Sequence, residues 1–146
     1  MCIHVSGRAP IAQSELPANV RLTGYLPRAD YENLLRSVDA VMVLTSAEEN
    51  LVCGGYEAVA AGKPLILSDT GALRELYGRG VVFTANRADA IAAAVGQLRR
   101  DLRELRGGIR AQQGDMATAW SRRWHALLER IHAPRAAERP GAVLSG

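Results

Sequence analysis

The stretch Ala40-Val41-Met42-Val43-Leu44-Thr45-Ser46-Ala47-Glu48-Glu49-Asn50-Leu51-Val52-Cys53-Gly54-Gly55-Tyr56-Glu57-Ala58-Val59-Ala60-Ala61-Gly62-Lys63-Pro64-Leu65-Ile66-Leu67 decides the fold. Residues 40–44 are apolar on both faces and rich in branched side chains, the pattern of a central parallel strand covered on both sides by helices. The polar segment 45–50 leads into a small-residue helix over about 54–61, stopped at Gly62 with Pro64 behind it. Residues 65–67 then form the next buried strand. Strand, helix and strand in this order make a parallel crossover, because parallel neighbours need a connection of a dozen or so residues.

The same alternation continues on both sides. Upstream, residues 2–7 read as a short strand closed by Gly7, 20–23 as a second strand closed by Gly24, and 27–38 as a helix with Tyr31, Leu34, Leu35 and Val38 on one face. Downstream come a short helix over 71–77, a strand over 81–83 and a long helix over 89–105. Gly107-Gly108 interrupts the helical pattern, and a second helix over 111–131 carries Met116, Trp120, Trp124, Leu127, Leu128 and Ile131 as an apolar stripe. The expectation is an α/β domain over 1–132, a Rossmann-like parallel sheet with helices on both faces plus C-terminal helices, followed by a disordered tail over 133–146.

A chain of 146 residues is long enough to bury a core, roughly 70% of its unfolded surface. At 48% hydrophobic and 23% charged residues, it is neither disordered nor fibrous by composition. No apolar run reaches membrane-spanning length and the first ten residues lack signal-peptide character, so a cytoplasmic protein is expected. Cys2 and Cys53 are too few for a disulfide framework and make no metal knuckle; His4, His125 and His132 make no metal spacing either. The net charge of +3 lies in the C-terminal part, where residues 97–139 hold 10 arginines against 5 acids. Because Arg99, Arg100, Arg103, Arg106 and Arg110 interleave with Asp101 and Glu104, they read as a solvated helical face in preference to a nucleic-acid surface. Peripheral association with an anionic membrane is the other expectation for this region.

The chemistry is expected at the segment 45–57, because ligands of open α/β sheets bind beyond the carboxyl ends of the strands. Gly54 and Gly55 would let a phosphate approach the backbone, and the first helical turn offers unpaired N–H groups. Glu48 and Glu49 before the turn and Glu57 one turn inside it are placed to accept hydrogen bonds from sugar hydroxyls on either side of a diphosphate. Lys63 and Arg74 are basic candidates near that diphosphate, with solvated surface the preferred reading of each. Packing is the preferred reading of Cys53, Trp120 and Trp124.

Glu49 and Glu57, with seven residues between them and followed by Ala58-x-Ala60-x-Gly62-x-Pro64, resemble the E-x7-E signature and its continuation in retaining glycosyltransferases of the GT-B fold, family 4. The flanking text, from about residue 3 to 82, is similar to the C-terminal, donor-binding half of those enzymes. The resemblance implies that the first glutamate contacts the transferred sugar, with Glu48 and Glu49 both open as candidates, and that Glu57 binds the ribose. It implies that backbone amides of Val52, Cys53, Gly54 and Gly55 hold the diphosphate and that the turn Gly24-Tyr25-Leu26 lies near the base. It further implies retaining transfer from a nucleoside-diphosphate sugar with no metal and no cofactor.

Two departures from the family pattern stand out. Asn50-Leu51-Val52 replaces the glycine-aromatic-glycine after the first glutamate, and residues 48–54 are closer to a polar D-x-T-x-x-x-G version. The acceptor domain and the first strand of the donor domain are expected to be missing, which leaves a gap or a rearranged sheet and a chain inactive alone. Alternatives are a subunit of a split glycosyltransferase, whose partner chain supplies the acceptor domain, and a non-catalytic α/β interaction module.

Overall fold

Strands and helices alternate along the chain in a computed structural model that describes residues 1–132; the tail expected over 133–146 lies outside the described residues. The order is β1 (Ile3–Ser6), β2 (Val20–Gly24), α1 (Arg28–Ser37), β3 (Val41–Val43), α2 (Cys53–Ala60), β4 (Leu65–Ser68), α3 (Gly71–Leu76), β5 (Val81–Thr84) and α4 (Ala88–His132). A 3-10 turn, Gln13–Glu15, lies between β1 and β2.

Every strand pair is parallel, but the strands form two sheets. β1 pairs with β2, Ile3 opposite Val20. The other sheet runs β3-β4-β5, with Val41 opposite Leu65 and Leu65 opposite Val81. The break falls between these sheets, where a gap or a rearrangement was expected. The reading of residues 40–44 as a central strand needs correction. β3 is an edge strand, with Met42 41% exposed, and the fully buried β4 is the central one. A continuous apolar run reports covered faces; it carries no information about which edges find a hydrogen-bonding neighbour.

Helices cover both faces of the three-stranded sheet. On one, Ile66 and Val82 meet Ala94 and Leu98 of α4, with Ala40, Val95, Leu102 and Leu105 packed around them. On the other, α2 lies against β3 and β4. Leu65, Leu67 and Leu73 are fully buried, each contributing roughly 1.5–3 kcal/mol over an exposed side chain.

Gly107-Gly108 does not break the helix: α4 runs unbroken for 45 residues. A Cβ on Gly108 would lie 2.6 Å from the Gly80 nitrogen, and one on Gly80 would lie 2.4 Å from the Ile109 nitrogen. Gly108 therefore serves a close backbone approach between α4 and the turn before β5. Next to it, the buried Gln112 side chain accepts the N–H groups of Gly78 and Arg79 and donates to the Leu76 carbonyl, finishing the end of α3.

The chain divides into two units, residues 1–113 and 114–146. In the second, Trp120 and Trp124 stack with ring centroids 6.3 Å apart and remain 68% and 47% exposed, with Leu127 and Ile131 also exposed. The core role expected for the two tryptophans is not what the structure shows. Periodicity identifies the stripe without identifying what covers it.

Candidate functional site

The carboxyl ends of β3, β4 and β5 are joined by a ring of hydrogen bonds. The Thr45 N–H donates to Ser68 Oγ at 2.8 Å, Ser68 Oγ donates to Asn86 Oδ1 at 2.8 Å, and Asn86 Nδ2 donates to the Thr45 carbonyl at 2.8 Å. Ser68 is buried, so the ring satisfies a polar side chain in the core and fixes where the loop after β3 begins. The loop turns through Asn50 N–H to the Ala47 carbonyl at 3.3 Å, while Thr45 Oγ1 accepts the Ala47 N–H.

Within that loop the two adjacent acids differ. Glu48 Oε1 accepts the N–H of Gly71, the first residue of α3, whose N-cap is Thr70. Glu49 is exposed and meets no partner among the described residues. Val52 is the buried N-cap of α2 and supplies no side-chain cap; its carbonyl accepts the Gly55 N–H at 3.0 Å, leaving the first amides of the helix, Cys53 and Gly54, open. Both ends of the predicted diphosphate loop thus lie on one strand-to-helix connection.

Packing gives Gly54 and Gly55 a requirement of their own. A Cβ on Gly54 would come 2.9 Å from Val43 Cγ2, and one on Gly55 2.4 Å from the Tyr77 hydroxyl oxygen. The two glycines seat α2 tightly on β3 and Tyr77. The Tyr77 hydroxyl is buried with no hydrogen-bond partner among the described residues, and burial, with Tyr56 and Cys53 nearby, pushes its pKa upward.

Glu57, the fifth residue of α2, is exposed, and its Oε2 accepts a 2.5 Å hydrogen bond from the Tyr31 hydroxyl of α1. The Tyr31 pKa is pushed up to about 12, first by partial burial and then by the bond and charge of Glu57. Lys63, just past α2, donates to the Arg36 carbonyl at 2.6 Å and ties the same helices together. The predicted base turn lies at the end of β2: Gly24 takes φ +64°, its carbonyl accepts the Gly7 N–H, Leu26 is half-buried and Tyr25 is 84% exposed. The helix that follows this turn is the one that carries Tyr31 to Glu57.

The basic candidates are occupied. Arg74 forms two hydrogen bonds to the Asp69 carboxylate and lies 4.6 Å from the Phe83 ring centroid; this pairing holds the Asp69 carboxyl below its ordinary pKa. Among the described residues, no three His, Cys, Asp or Glu side chains cluster as a metal site requires. Reading the sequence missed Ser68, Asn86 and Tyr31. Ser68 and Asn86 matter through partners on other strands, but Tyr31 carried a signal: a tyrosine on an apolar helical face has a hydroxyl that needs a partner.

Residues 8–112 match the family described as glycosyl transferases group 1. No curated protein sequence matches the chain. Among solved structures, HepE of Anabaena in complex with UDP is similar at 23% identity over 69% of this chain and 28% of that one, with a TM-score of 0.56. HepE in complex with UDP and glucose is similar at 21% identity over 73% of this chain and 33% of that one, again with a TM-score of 0.56. The chain thus spans a third or less of those proteins' length, and the likeness is one of fold, a Rossmann-like α/β domain. The family match extends from the loop after β1 to Gln112 within α4, most of the described chain, and the chain belongs to the glycosyl transferases group 1 family.

Proposed function

We propose that this chain is the donor-binding, C-terminal half of a retaining family 4 glycosyltransferase of GT-B fold, completed by an acceptor domain. It takes a nucleoside-diphosphate sugar. The donor's anomeric carbon exchanges its bond to the diphosphate for one to an acceptor oxygen on the same face, and the nucleoside diphosphate leaves. The carrying observation is the connection from β3 to α2, which puts a Glu49 without a partner among the described residues, a helix start with no side-chain cap and Glu57 at the carboxyl end of a parallel sheet. In this reading Glu49 meets the transferred sugar, the amides from Val52 to Gly55 hold the diphosphate, Glu57 meets the ribose and Gly24, Tyr25 and Leu26 flank the base. With Arg74 and Lys63 committed elsewhere, leaving-group charge falls on the amides and the helix end.

Calorimetric titration of the chain with UDP, GDP and ADP, beside Glu57→Ala, tests it. Saturable binding of one nucleotide, lost in the variant, supports the assignment; a folded chain that binds none of the three refutes it. The unpaired edges of β1 and β3 leave room for a further strand, which a split enzyme would draw from a separate chain. A chain that stays alone on purification from its native extract would count against that form of the reading.

No described helix is long and apolar enough to cross a membrane. In residues 114–132, exposed Trp120, Trp124, Leu127 and Ile131 share one helix with Arg122, Arg123 and Arg130, which supports peripheral association with an anionic membrane. Sedimentation with phosphatidylglycerol vesicles but not with phosphatidylcholine vesicles is the expected result.

A further inference from the structure

We infer that Tyr31 is a positioning residue that holds the Glu57 carboxylate for a ribose diol and links it to the turn beside the base. The inference rests on the ribose role proposed for Glu57. Tyr31 belongs to α1, which follows β2, whereas Glu57 belongs to α2, which follows β3; β2 and β3 lie in different sheets. The side-chain bond between them crosses from one sheet's helix to the other's.

Glu57 is exposed, and an unrestrained surface glutamate samples several rotamers, which a ligand must freeze on binding. The Tyr31 hydroxyl donates to Oε2 alone. Oε1 meets no partner among the described residues and is left to accept from a sugar hydroxyl. Tyr31 lies five residues beyond Leu26, the end of the Gly24-Tyr25-Leu26 turn, so a base lodged at that turn and a ribose on Glu57 would be read by one connected piece of structure. The half-buried ring of Tyr31 makes the donor rigid, and its neighbours Leu34 and Leu35 on the same face are half-buried as well.

Removing the hydroxyl leaves α1 and α2 joined through Lys63 and the Arg36 carbonyl, so Tyr31→Phe is expected to fold. The full chain, Tyr31→Phe and Glu57→Gln are titrated calorimetrically with UDP, GDP and ADP and with the 2′,3′-dideoxy form of each. The full chain should prefer the ribose form of its nucleotide. Tyr31→Phe should bind that form about tenfold more weakly while binding the dideoxy form as before, so that the preference collapses. A purely structural bridge would leave the preference intact, and that result overturns the inference. Tighter ribose binding by Tyr31→Phe also overturns it, since the hydroxyl would then be occupying the place of the ligand.

The carbon NMR signal of Tyr31 Cζ in the ligand-free chain separates the two levels. It is assigned by its loss in Tyr31→Phe and should shift in Glu57→Gln; an unchanged signal overturns the inference without reference to any nucleotide. A shifted signal in a chain that binds no nucleotide locates the failure in the ribose role of Glu57, and the inference falls with it.

Discussion

The carboxylate of Glu48 accepts the backbone N–H of Gly71, which ties the loop after β3 to the helix after β4. Its neighbour Glu49 has no such tie. Two acids that the sequence leaves equivalent are thereby given different work. Glu48 acts as a cap on an otherwise unpaired amide, and truncating such a cap costs about 1 kcal/mol. Chemical denaturation should show Glu48→Ala destabilised by about that amount and Glu49→Ala unchanged within about 0.5 kcal/mol. In an active, completed enzyme Glu49→Ala should abolish transfer. Equal stability losses in the two variants would remove the distinction.

The Thr45, Ser68 and Asn86 ring predicts a larger effect. Ser68 is buried and acts both as acceptor and as donor, so Ser68→Ala leaves the Thr45 N–H and Asn86 Oδ1 without their partner. Leaving the half-buried Thr45 N–H unsatisfied costs about 1–3 kcal/mol, whereas water can reach the exposed Asn86. The urea midpoint should fall with the slope unchanged, since the surface exposed on unfolding is the same. Asn86→Ala should cost less, because Asn86 is exposed and water can replace it at the Thr45 carbonyl.

These partners show what the sequence could and could not disclose. The elements were legible because each has a local cause: the buried run around Leu65, the glycine after β2, the small residues of α2. The residues proposed for the donor site could be picked out for a similar reason, since Glu49, Glu57 and the glycines between them lie within one loop and the helix that follows it. What escaped were relations between distant residues. Nothing in the run 40–44 tells that β3 has an open edge. Nothing around Tyr31 tells that its hydroxyl reaches a carboxylate 26 residues on. Gly54 and Gly55 illustrate the converse: a phosphate-binding reading accounts for them locally, while Val43 and Tyr77, contacts made only in the folded chain, also require them.

That packing leads to a coupled prediction. An alanine Cβ at position 55 would overlap the Tyr77 hydroxyl oxygen and lie 2.9 Å from Tyr77 Cζ. Gly55→Ala should therefore destabilise by about 1–3 kcal/mol, the usual cost of overpacking. Tyr77→Phe removes a buried hydroxyl that has no partner among the described residues and should be neutral or stabilising. The double variant should recover part of the loss, because the nearest clash is gone while the ring carbons remain close. A thermodynamic cycle over the four proteins measures the coupling, and strict additivity would contradict the contact.

The last prediction concerns two adjacent glycines that look alike in the sequence. A Cβ on Gly107 meets nothing within 4 Å, whereas one on Gly108 would lie 2.6 Å from the nitrogen and 3.0 Å from the Cα of Gly80. Both residues lie inside α4, where glycine is less favourable than alanine by about 0.5–1 kcal/mol. Gly107→Ala should therefore raise stability by about that amount. Gly108→Ala gains the same helical preference but forces apart two stretches of backbone, neither of which can yield by rotating a side chain. Gly80 is itself confined there: it sits at φ +70°, and a Cβ on it would lie 2.7 Å from the Ile109 Cα. The net effect should be a loss of about 1–3 kcal/mol. Thermal denaturation of the two variants should move the midpoint in opposite directions; a rise for both would mean that α4 and the turn before β5 are not in backbone contact.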